Sequence, residues 1–355
     1  MSRQRTKTKI KTAAKNKSGK KSATKIRTKP KAKTKARDEG PIFLSEGDVQ
    51  SLVGVEDAIT TLEQLFATWS DPTTINMPRQ RAKAGDGTFN LMGAAWGPKR
   101  LFGLKAYFGG GGDGRYYALL FSSMDGKLKA MIEADHLGQM RTGAVSGLAT
   151  KLLAKPDART LGVIGTGRQA FTQVAAVCAV RKIEKVFVSS RTAEHRDAFA
   201  RKIERGLRLA ALPMPSAEAA IADADIAITI TKSAEPVLRA NWLKSGVHIN
   251  AAGANSPLRR EVDAESVLRS TVRATDQISQ AKLEAAEYRD LVTAGRLQWT
   301  DITELGDILT GKVAGRRGPA DITLFKSLGI ALEDVAFADL ILRRAIERGV
   351  GKRLP

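Results

Sequence analysis

A glycine-rich turn between an apolar segment and a helix is the strongest constraint on the fold of this 355-residue chain. Residues 161–164 (LGVI) have the composition of a buried strand, and residues 165–170 (GTGRQA) follow directly. In this GxGxxA pattern Gly165 permits a tight turn, Gly167 lets a pyrophosphate approach the backbone, and Ala170 lets the next helix pack closely. That helix would offer its N-terminal N–H groups to phosphate. The turn therefore predicts a dinucleotide site. Its predicted cofactor-binding residues are Gly165, Thr166, Gly167, Arg168, Gln169 and Ala170.

The residues around this turn alternate between strand and helix signals. Short apolar strands are predicted at 160–164, 185–189, 226–231, 247–251 and 271–275, with helical segments between them. Such alternation predicts an α/β fold with a parallel sheet covered by helices on both faces. We assign residues 143–321 to this Rossmann-type dinucleotide-binding domain.

The residues on either side of that domain have a different texture. Two short helices after Ser45 are followed, from 76 to 129, by apolar runs separated by glycine-rich turns, which indicates antiparallel strands. A long helix is predicted from 134 to 153, and another amphipathic helix ends near Gly349. We expect residues 40–142 and 322–355 to form an α+β substrate-binding and dimerisation domain.

The charge of the chain is concentrated at its N-terminus. The net charge is +21, and residues 1–37 contain 16 of the 58 Lys and Arg residues but no Asp or Glu. With almost no large apolar residue, this segment predicts a disordered basic tail over residues 1–39. Two interpretations stay open, a solubilising arm or a nonspecific contact with a polyanion such as nucleic acid through residues 1–37.

Composition also limits the class of protein. One cysteine, Cys178, and three widely spaced histidines predict neither a disulfide framework nor a metal site. No apolar run reaches the roughly 20 residues that a membrane span requires. The N-terminal segment lacks the apolar core of a secretory signal. We therefore expect a cytoplasmic protein.

The end of the second strand of the Rossmann-type domain bears on the choice of cofactor. NAD sites carry an acid there that binds the ribose 2′-hydroxyl, whereas this strand ends in Ser190, Arg191 and Thr192, with no acid before Glu194. An arginine suits a 2′-phosphate. We therefore predict that Ser190, Arg191 and Thr192 contact NADP(H), with NAD(H) as the alternative.

Six segments of the sequence carry a family resemblance. They are Met77-Pro78-Arg79, Gly103-Leu104-Lys105, residues 140–144 (MRTGA), residues 165–170, residues 248–253 (HINAAG) and residues 327–334 (SLGIALED). Together they resemble the ornithine cyclodeaminase/mu-crystallin family over about residues 40–355. The resemblance implies a homodimer in which a dinucleotide domain is paired with a substrate domain. It also implies hydride exchange at the α-carbon of an amino or imino acid.

The resemblance assigns roles to individual residues. Arg79, Lys105 and Arg141 correspond to the cations that bind the substrate carboxylate, and Lys105 is also the candidate to assist protonation of the imine nitrogen. Thr231 and Ser327 correspond to cofactor contacts. Two positions that carry acids in cyclodeaminases hold Asn90 and Asn255 here, and these are the predicted substrate-binding and catalytic amides.

These substitutions guide the functional hypothesis, because an asparagine cannot offset the charge of an ammonium group. Ornithine carries two amines, so the loss of both acids should weaken its binding. The sequence therefore favours an NAD(P)-dependent reductase of 2-imino acids such as pyrroline-2-carboxylate. An ornithine cyclodeaminase and a crystallin-like binding protein without turnover are the alternatives.

Overall fold

The computed structural model describes residues 40–109 and 115–355, which form one compact unit. The tail predicted for residues 1–39 lies outside the described residues. Two sheets organise the described chain, and the long helix α3 (Asp135–Leu153) connects them. The predicted boundary between residues 142 and 143 falls inside α3. The division into two domains at that point stays a prediction.

The first sheet has seven strands in the order β15-β1-β6-β5-β4-β3-β2, and it is antiparallel except for the β1–β6 pair. The alternating apolar pattern of residues 76–129 forms this sheet, as expected. Its strands are β1 (Ile42–Leu44), β2 (Thr74–Ala84), β3 (Gly87–Trp96), β4 (Leu101–Gly109), β5 (Tyr116–Ser122), β6 (Leu128–Glu133) and β15 (Lys352–Arg353).

The second sheet has eight strands in the order β13-β12-β14-β11-β10-β7-β8-β9, and every pair is parallel. The strand order reverses direction between β7 and β10, which is where open parallel sheets bind ligands. This confirms the predicted α/β, Rossmann-type class. Its strands are β7 (Thr160–Ile164), β8 (Lys185–Ser189), β9 (Ala210–Pro213), β10 (Ile226–Thr229), β11 (His248–Ala251), β12 (Val272–Thr275), β13 (Thr303–Glu304) and β14 (Thr323–Lys326).

The helices follow from local capping and apolar periodicity. The first helix begins after Ser45, as predicted, and Ser45 caps it in a reciprocal capping box with Asp48. The C-terminal helix is buried along most of its length and packs on one face of the first sheet and on the other helices of that half. The helices are α1 (Glu46–Leu52), α2 (Val55–Ala67), α3 (Asp135–Leu153), α4 (Ala170–Val180), α5 (Ala193–Leu207), α6 (Ala217–Ile221), α7 (Ala264–Arg269), α8 (Ile278–Glu284), α9 (Ala286–Thr293), α10 (Leu305–Leu309) and α11 (Ala331–Arg348).

Three apolar cores hold these layers together. One lies between the first sheet, α1–α3 and α11, and the other two cover the two faces of the parallel sheet. Within residues 40–109 and 115–355, no helix is long and apolar enough to cross a membrane. The same residues contain no group of three His, Cys, Asp or Glu side chains arranged to hold a metal ion.

Candidate functional site

The phosphate-binding turn has the backbone that its glycines predict. Gly165 follows β7 with a φ of +109°, in the region that favours glycine, and a Cβ there would clash with the carbonyl of Ile230. A Cβ on Gly167 would meet no atom within 4 Å, so the backbone faces open space that a pyrophosphate can occupy. Ala170 is fully buried at the first residue of α4. The turn therefore fits a dinucleotide.

The neighbouring side chains extend this turn in two directions. Towards the first sheet, Arg168 forms an ion pair of 2.7 Å with Asp135 and donates to the hydroxyl of Tyr116 at 2.8 Å. Towards β8, Oγ1 of Thr166 lies 3.2 Å from Oγ of Ser190. A cavity of about 440 Å³ adjoins the turn. It is lined by Thr166, Gly167, Arg168, His195, Ala198, Phe199 and Lys202.

Arg191 stands exposed just after β8, where NAD sites carry an acid. It makes no hydrogen bond or ion pair with the described residues, and Thr192 beside it is also exposed at the N-cap of α5. Gln169 is the N-cap of α4 and its carbonyl accepts from Thr172. The structure thus leaves the Arg191 guanidinium available to a 2′-phosphate.

The predicted substrate cations Lys105 and Arg141 meet at the start of α11. Nζ of Lys105 donates to Oδ1 of Asp334 at 2.6 Å, and Nε of Arg141 donates to the same oxygen at 3.0 Å. Nη1 of Arg141 also binds Glu333 at 3.0 Å. Lys105 and Arg141 are only 3% and 6% exposed. The expectation that a ligand carboxylate would be their partner is thus incomplete, because the protein already supplies acids.

Arg79 reaches the same segment of chain from a β-bulge in β2. Its Nη1 donates to both carboxylate oxygens of Glu284, and its Nη2 donates to the carbonyls of Leu328 and Gly329. The Nη donors are therefore fully used, and only Nε lacks a partner among the described residues. By contrast, the ammonium group of Lys105 uses one of its three N–H bonds, to Asp334, and the other two have no hydrogen-bond partner within residues 40–109 and 115–355. The cations best able to receive a substrate carboxylate are Lys105 and Arg141.

The proton affinities of these groups reflect burial first and charge second. Burial and, second to it, the charge of Arg141 lower the pKa of Lys105, Asp334 opposes both, and the resulting pKa is about 8. Burial raises the pKa of Asp334, but Arg141 and Lys105 outweigh it, so that carboxyl stays below its usual value. Burial together with Asp276 raises the pKa of Glu333 well above its usual value. A lysine with a pKa near 8 holds a proton at neutral pH and can release it.

Asn90 and Asn255 both lie next to Arg81, Asn90 beside its backbone and Asn255 beside its guanidinium. Asn90 is buried on β3, opposite Arg81 of β2, and its amide donates to the carbonyl of Thr88. Arg81 in turn donates to the carbonyl of Asn255 at 2.8 Å and pairs with Glu284. The structure therefore places Arg81 between these two amides, with its guanidinium also paired to Glu284.

Thr231 and Ser327 both lie just beyond the strands of the parallel sheet. Strand β10 ends at Thr229, two residues earlier than predicted, and the Thr231 hydroxyl binds Glu261 at 2.8 Å. Ser327 follows β14, and its buried Oγ has no partner among the described residues, which fits a cofactor contact. It is not a helix cap, because Asn76 accepts from the first N–H groups of α11 instead.

Sequence reasoning missed the acids of this site. Glu284, Glu333, Asp334 and Asp276 are buried, and their neighbours in the chain give no metal or catalytic motif. One sequence signal could have indicated them. Glu333 and Asp334 lie in the first turn of an otherwise apolar helix, and an acid that is buried with such a helix requires a cationic partner.

Comparison with known proteins places these observations in one family. The sequence profile of the ornithine cyclodeaminase/mu-crystallin family matches residues 39–349. The chain belongs to this family. Delta(1)-pyrroline-2-carboxylate reductase of Bacillus cereus is 38% identical over 237 residues, which are 66% of this chain and 73% of that protein.

Two solved structures of family enzymes share the fold. Delta(1)-pyrroline-2-carboxylate reductase of Thermococcus litoralis, in complex with NADH and L-proline, is 30% identical with a TM-score of 0.85 and covers 88% of this chain and 100% of its own. The iminosuccinate reductase of Paracoccus denitrificans, in complex with NAD⁺, is 26% identical with a TM-score of 0.83 and covers 89% and 99%. The similarity supports an oxidoreductase that acts on C=N groups and binds a nicotinamide dinucleotide in its Rossmann-type domain.

Proposed function

We propose that this family member reduces cyclic 2-imino acids, such as pyrroline-2-carboxylate, to the corresponding amino acids. The observation that carries the proposal is the buried pair Lys105 and Arg141, which keep N–H donors without a partner among the described residues. A carboxylate and an imine nitrogen that are bonded to the same carbon match two such donors. The L-proline bound to the Thermococcus litoralis enzyme is the product of such a reduction.

The residues divide the work of this reaction. NAD(P)H, when bound, would supply a hydride to the imine carbon. Arg141 binds the substrate carboxylate, and Arg79 fixes the 328–329 backbone that lies beside Arg141. Lys105 donates a proton to the imine nitrogen and regains it from solvent, while Asp334 holds its ammonium group in place. The hydride and the proton together convert C=N into CH–NH.

The proposal disfavours ornithine as the main substrate. Arg81, between Asn90 and Asn255, opposes a second ammonium group on the substrate.

A direct test measures NADPH and NADH oxidation with pyrroline-2-carboxylate, piperideine-2-carboxylate and 2-oxo acids plus ammonia. Ornithine with NAD⁺ is run in parallel for ammonia release. Failure of every imine, together with ammonia release from ornithine, would overturn the proposal in favour of a cyclodeaminase.

We also propose that NADPH is the preferred cofactor. The exposed Arg191 guanidinium, with no acid between Ser189 and Glu194, supports this preference. NADPH should bind at least about tenfold more tightly than NADH, and Arg191→Ala should remove most of that difference, since a hydrogen bond to a charged group contributes roughly 1.5–3 kcal/mol. Calorimetric titration of both cofactors tests this. Arg208→Ala, on the far end of α5, is the control, and equal affinity of the wild type for NADH would refute the preference.

We further propose a homodimer formed through the uncovered face of the first sheet. Helix α11 covers the other face, where Val335 packs near Gly103. The uncovered face is apolar, and Phe102 and Phe121 stack on it with centroids 4.9 Å apart. An apolar face of this kind is typical of a protein–protein contact. Its members include Ile75, Met77, Phe89, Leu91, Phe102, Leu104, Phe108, Leu119 and Phe121.

Substitution within this face should change the oligomeric state. Phe102→Glu introduces a charge at the centre of the proposed contact, so we expect sedimentation as a monomer where the wild type sediments as a dimer. Leu212→Glu, at an exposed apolar residue on β9 of the other sheet, should leave the dimer intact. A monomeric wild type would refute the proposal.

We also propose that the protein acts in the cytoplasm, as expected from the sequence.

A further inference from the structure

A fully buried glutamate connects the loops that follow two neighbouring strands of the parallel sheet. Oε1 of Glu261 accepts from the backbone N–H of Thr231 at 2.6 Å and from its hydroxyl at 2.8 Å. Oε2 accepts from the N–H groups of Gly253 at 2.6 Å and Ala254 at 3.0 Å. Four donors from the loops after β10 and β11 thus converge on one side chain that has no exposed surface.

The two loops meet too closely for any side chain to separate them. A Cβ on Gly253 would clash with the backbone N and O of Thr231, and a Cβ on Gly165 would clash with the carbonyl of Ile230. The loop after β10 is therefore packed between the phosphate-binding turn and the loop after β11. This is the point where the strand order reverses, and the carboxyl ends of the strands there form the ligand crevice of such sheets.

A second acid anchors Glu261 to a third strand. Oε1 of Glu287, on α9, accepts from the backbone N–H of Glu261 at 2.9 Å and from Nζ of Lys326 at 3.1 Å. Lys326 is the last residue of β14, is 1% exposed and precedes Ser327. Burying a lysine and a carboxylate costs desolvation free energy, which their attraction offsets only when the geometry is good and further hydrogen bonds complete the pair. The connected groups lie at the ends of β10, β11 and β14.

We propose that Glu261 is a positioning residue, which holds the Thr231 loop and the loop carrying Asn255 where the nicotinamide end of the cofactor binds. The proposal rests on the proposed function, because it assumes a dinucleotide across this edge of the sheet. Glu261 touches neither cofactor nor substrate and acts only through the loops that it fixes. The adenine end lies on the other side of the switch point, at Arg191 beyond β8, and none of the four donors to the Glu261 carboxylate belongs to that segment.

This division of the cofactor site gives a readout that loss of stability would not reproduce. Glu261→Gln keeps the size of the side chain, but its NH₂ group replaces one acceptor oxygen and faces at least one backbone N–H, which cannot turn to accept. We expect NADPH affinity to fall by at least about fivefold and kcat by at least about tenfold. Affinity for 2′,5′-ADP, which carries only the adenine end, should stay within about twofold of wild type. Should the wild type prefer NADH, 5′-AMP replaces 2′,5′-ADP.

The chain offers a matched control at the opposite edge of the same sheet. Asp225 precedes β10 and accepts from the backbone N–H groups of Arg159 and Thr160, at 2.8 and 3.1 Å. Asp225→Asn should lower the melting temperature and leave the NADPH to 2′,5′-ADP affinity ratio unchanged. Glu261→Asp, which keeps the charge but is too short to reach both loops, provides a second variant in case Glu261→Gln does not fold.

The outcomes separate clearly. Selective loss of NADPH affinity in Glu261→Gln or Glu261→Asp supports the positioning role. Wild-type binding and turnover in a folded variant, or equal weakening of NADPH and 2′,5′-ADP, overturns it. Because both ligands are measured by binding, the result does not depend on which imine the enzyme reduces, so failure of the proposed substrate remains distinguishable.

Discussion

Lys105→Met should lower kcat for imine reduction by about a hundredfold or more, the usual effect of removing a general acid. Methionine retains the length and the apolar stem, so the principal loss is the ammonium group that bonds Asp334 at 2.6 Å. Asp334 keeps its bond to Nε of Arg141, and the variant should therefore fold. Steady-state kinetics with an NADPH titration tests this, and NADPH affinity should hardly change.

The pH profile should identify the same group. Burial lowers the pKa of Lys105 to about 8, so wild-type kcat/KM should fall as the pH rises through this value and the lysine loses its proton. Lys105→Met should lack that limb of the profile. Lys151→Met, which breaks an ion pair between α3 and Glu63 of α2 at the surface, is the control for loss of a lysine. Wild-type turnover in Lys105→Met would show that the proton comes from elsewhere.

Arg141→Ala should lower the free energy of unfolding by about 3–5 kcal/mol, because it leaves buried Asp334 and Glu333 without their shared cation. A pair with the same Nε–carboxylate distance lies closer to solvent, where Nε of Arg343, whose side chain is 49% exposed, is 3.0 Å from an oxygen of Asp339. Arg343→Ala should cost much less than Arg141→Ala, since solvent screens the half-exposed guanidinium. Urea denaturation of both variants measures the difference.

The same substitution should affect catalysis. If Arg141 binds the substrate carboxylate, kcat/KM should fall at least about tenfold in conditions where Arg141→Ala is folded, at 1.36 kcal/mol per decade. NADPH affinity should be retained, because the cofactor phosphates bind the separate 165–170 turn. Equal unfolding free energies for Arg141→Ala and Arg343→Ala, with unchanged kcat/KM, would show that Arg141 neither stabilises the buried acids nor binds the substrate.

The sequence alone determined the elements whose causes are local. The positive φ of Gly165, the open space beside Gly167 and the buried Ala170 follow from residue types at fixed spacing between a strand and a helix. The antiparallel strands of the first sheet follow from alternating apolar residues and from turns, and the capping box at Ser45 from four consecutive residues. Each of these features involves residues that are neighbours in the chain, so composition and period suffice.

Only the tertiary structure decided which charges meet. Lys105 and Asp334 are 229 residues apart, Arg79 and Glu284 are 205 apart, and no local pattern joins them. Arg79 and Lys105 had the same predicted role, yet the structure uses every Nη donor of Arg79 within the protein and leaves donors free on Lys105. Alternation likewise predicts two faces for each strand but not which face α11 covers. Pairing of buried charges and burial of a sheet face depend on contacts between distant segments, which exist only once the chain has folded.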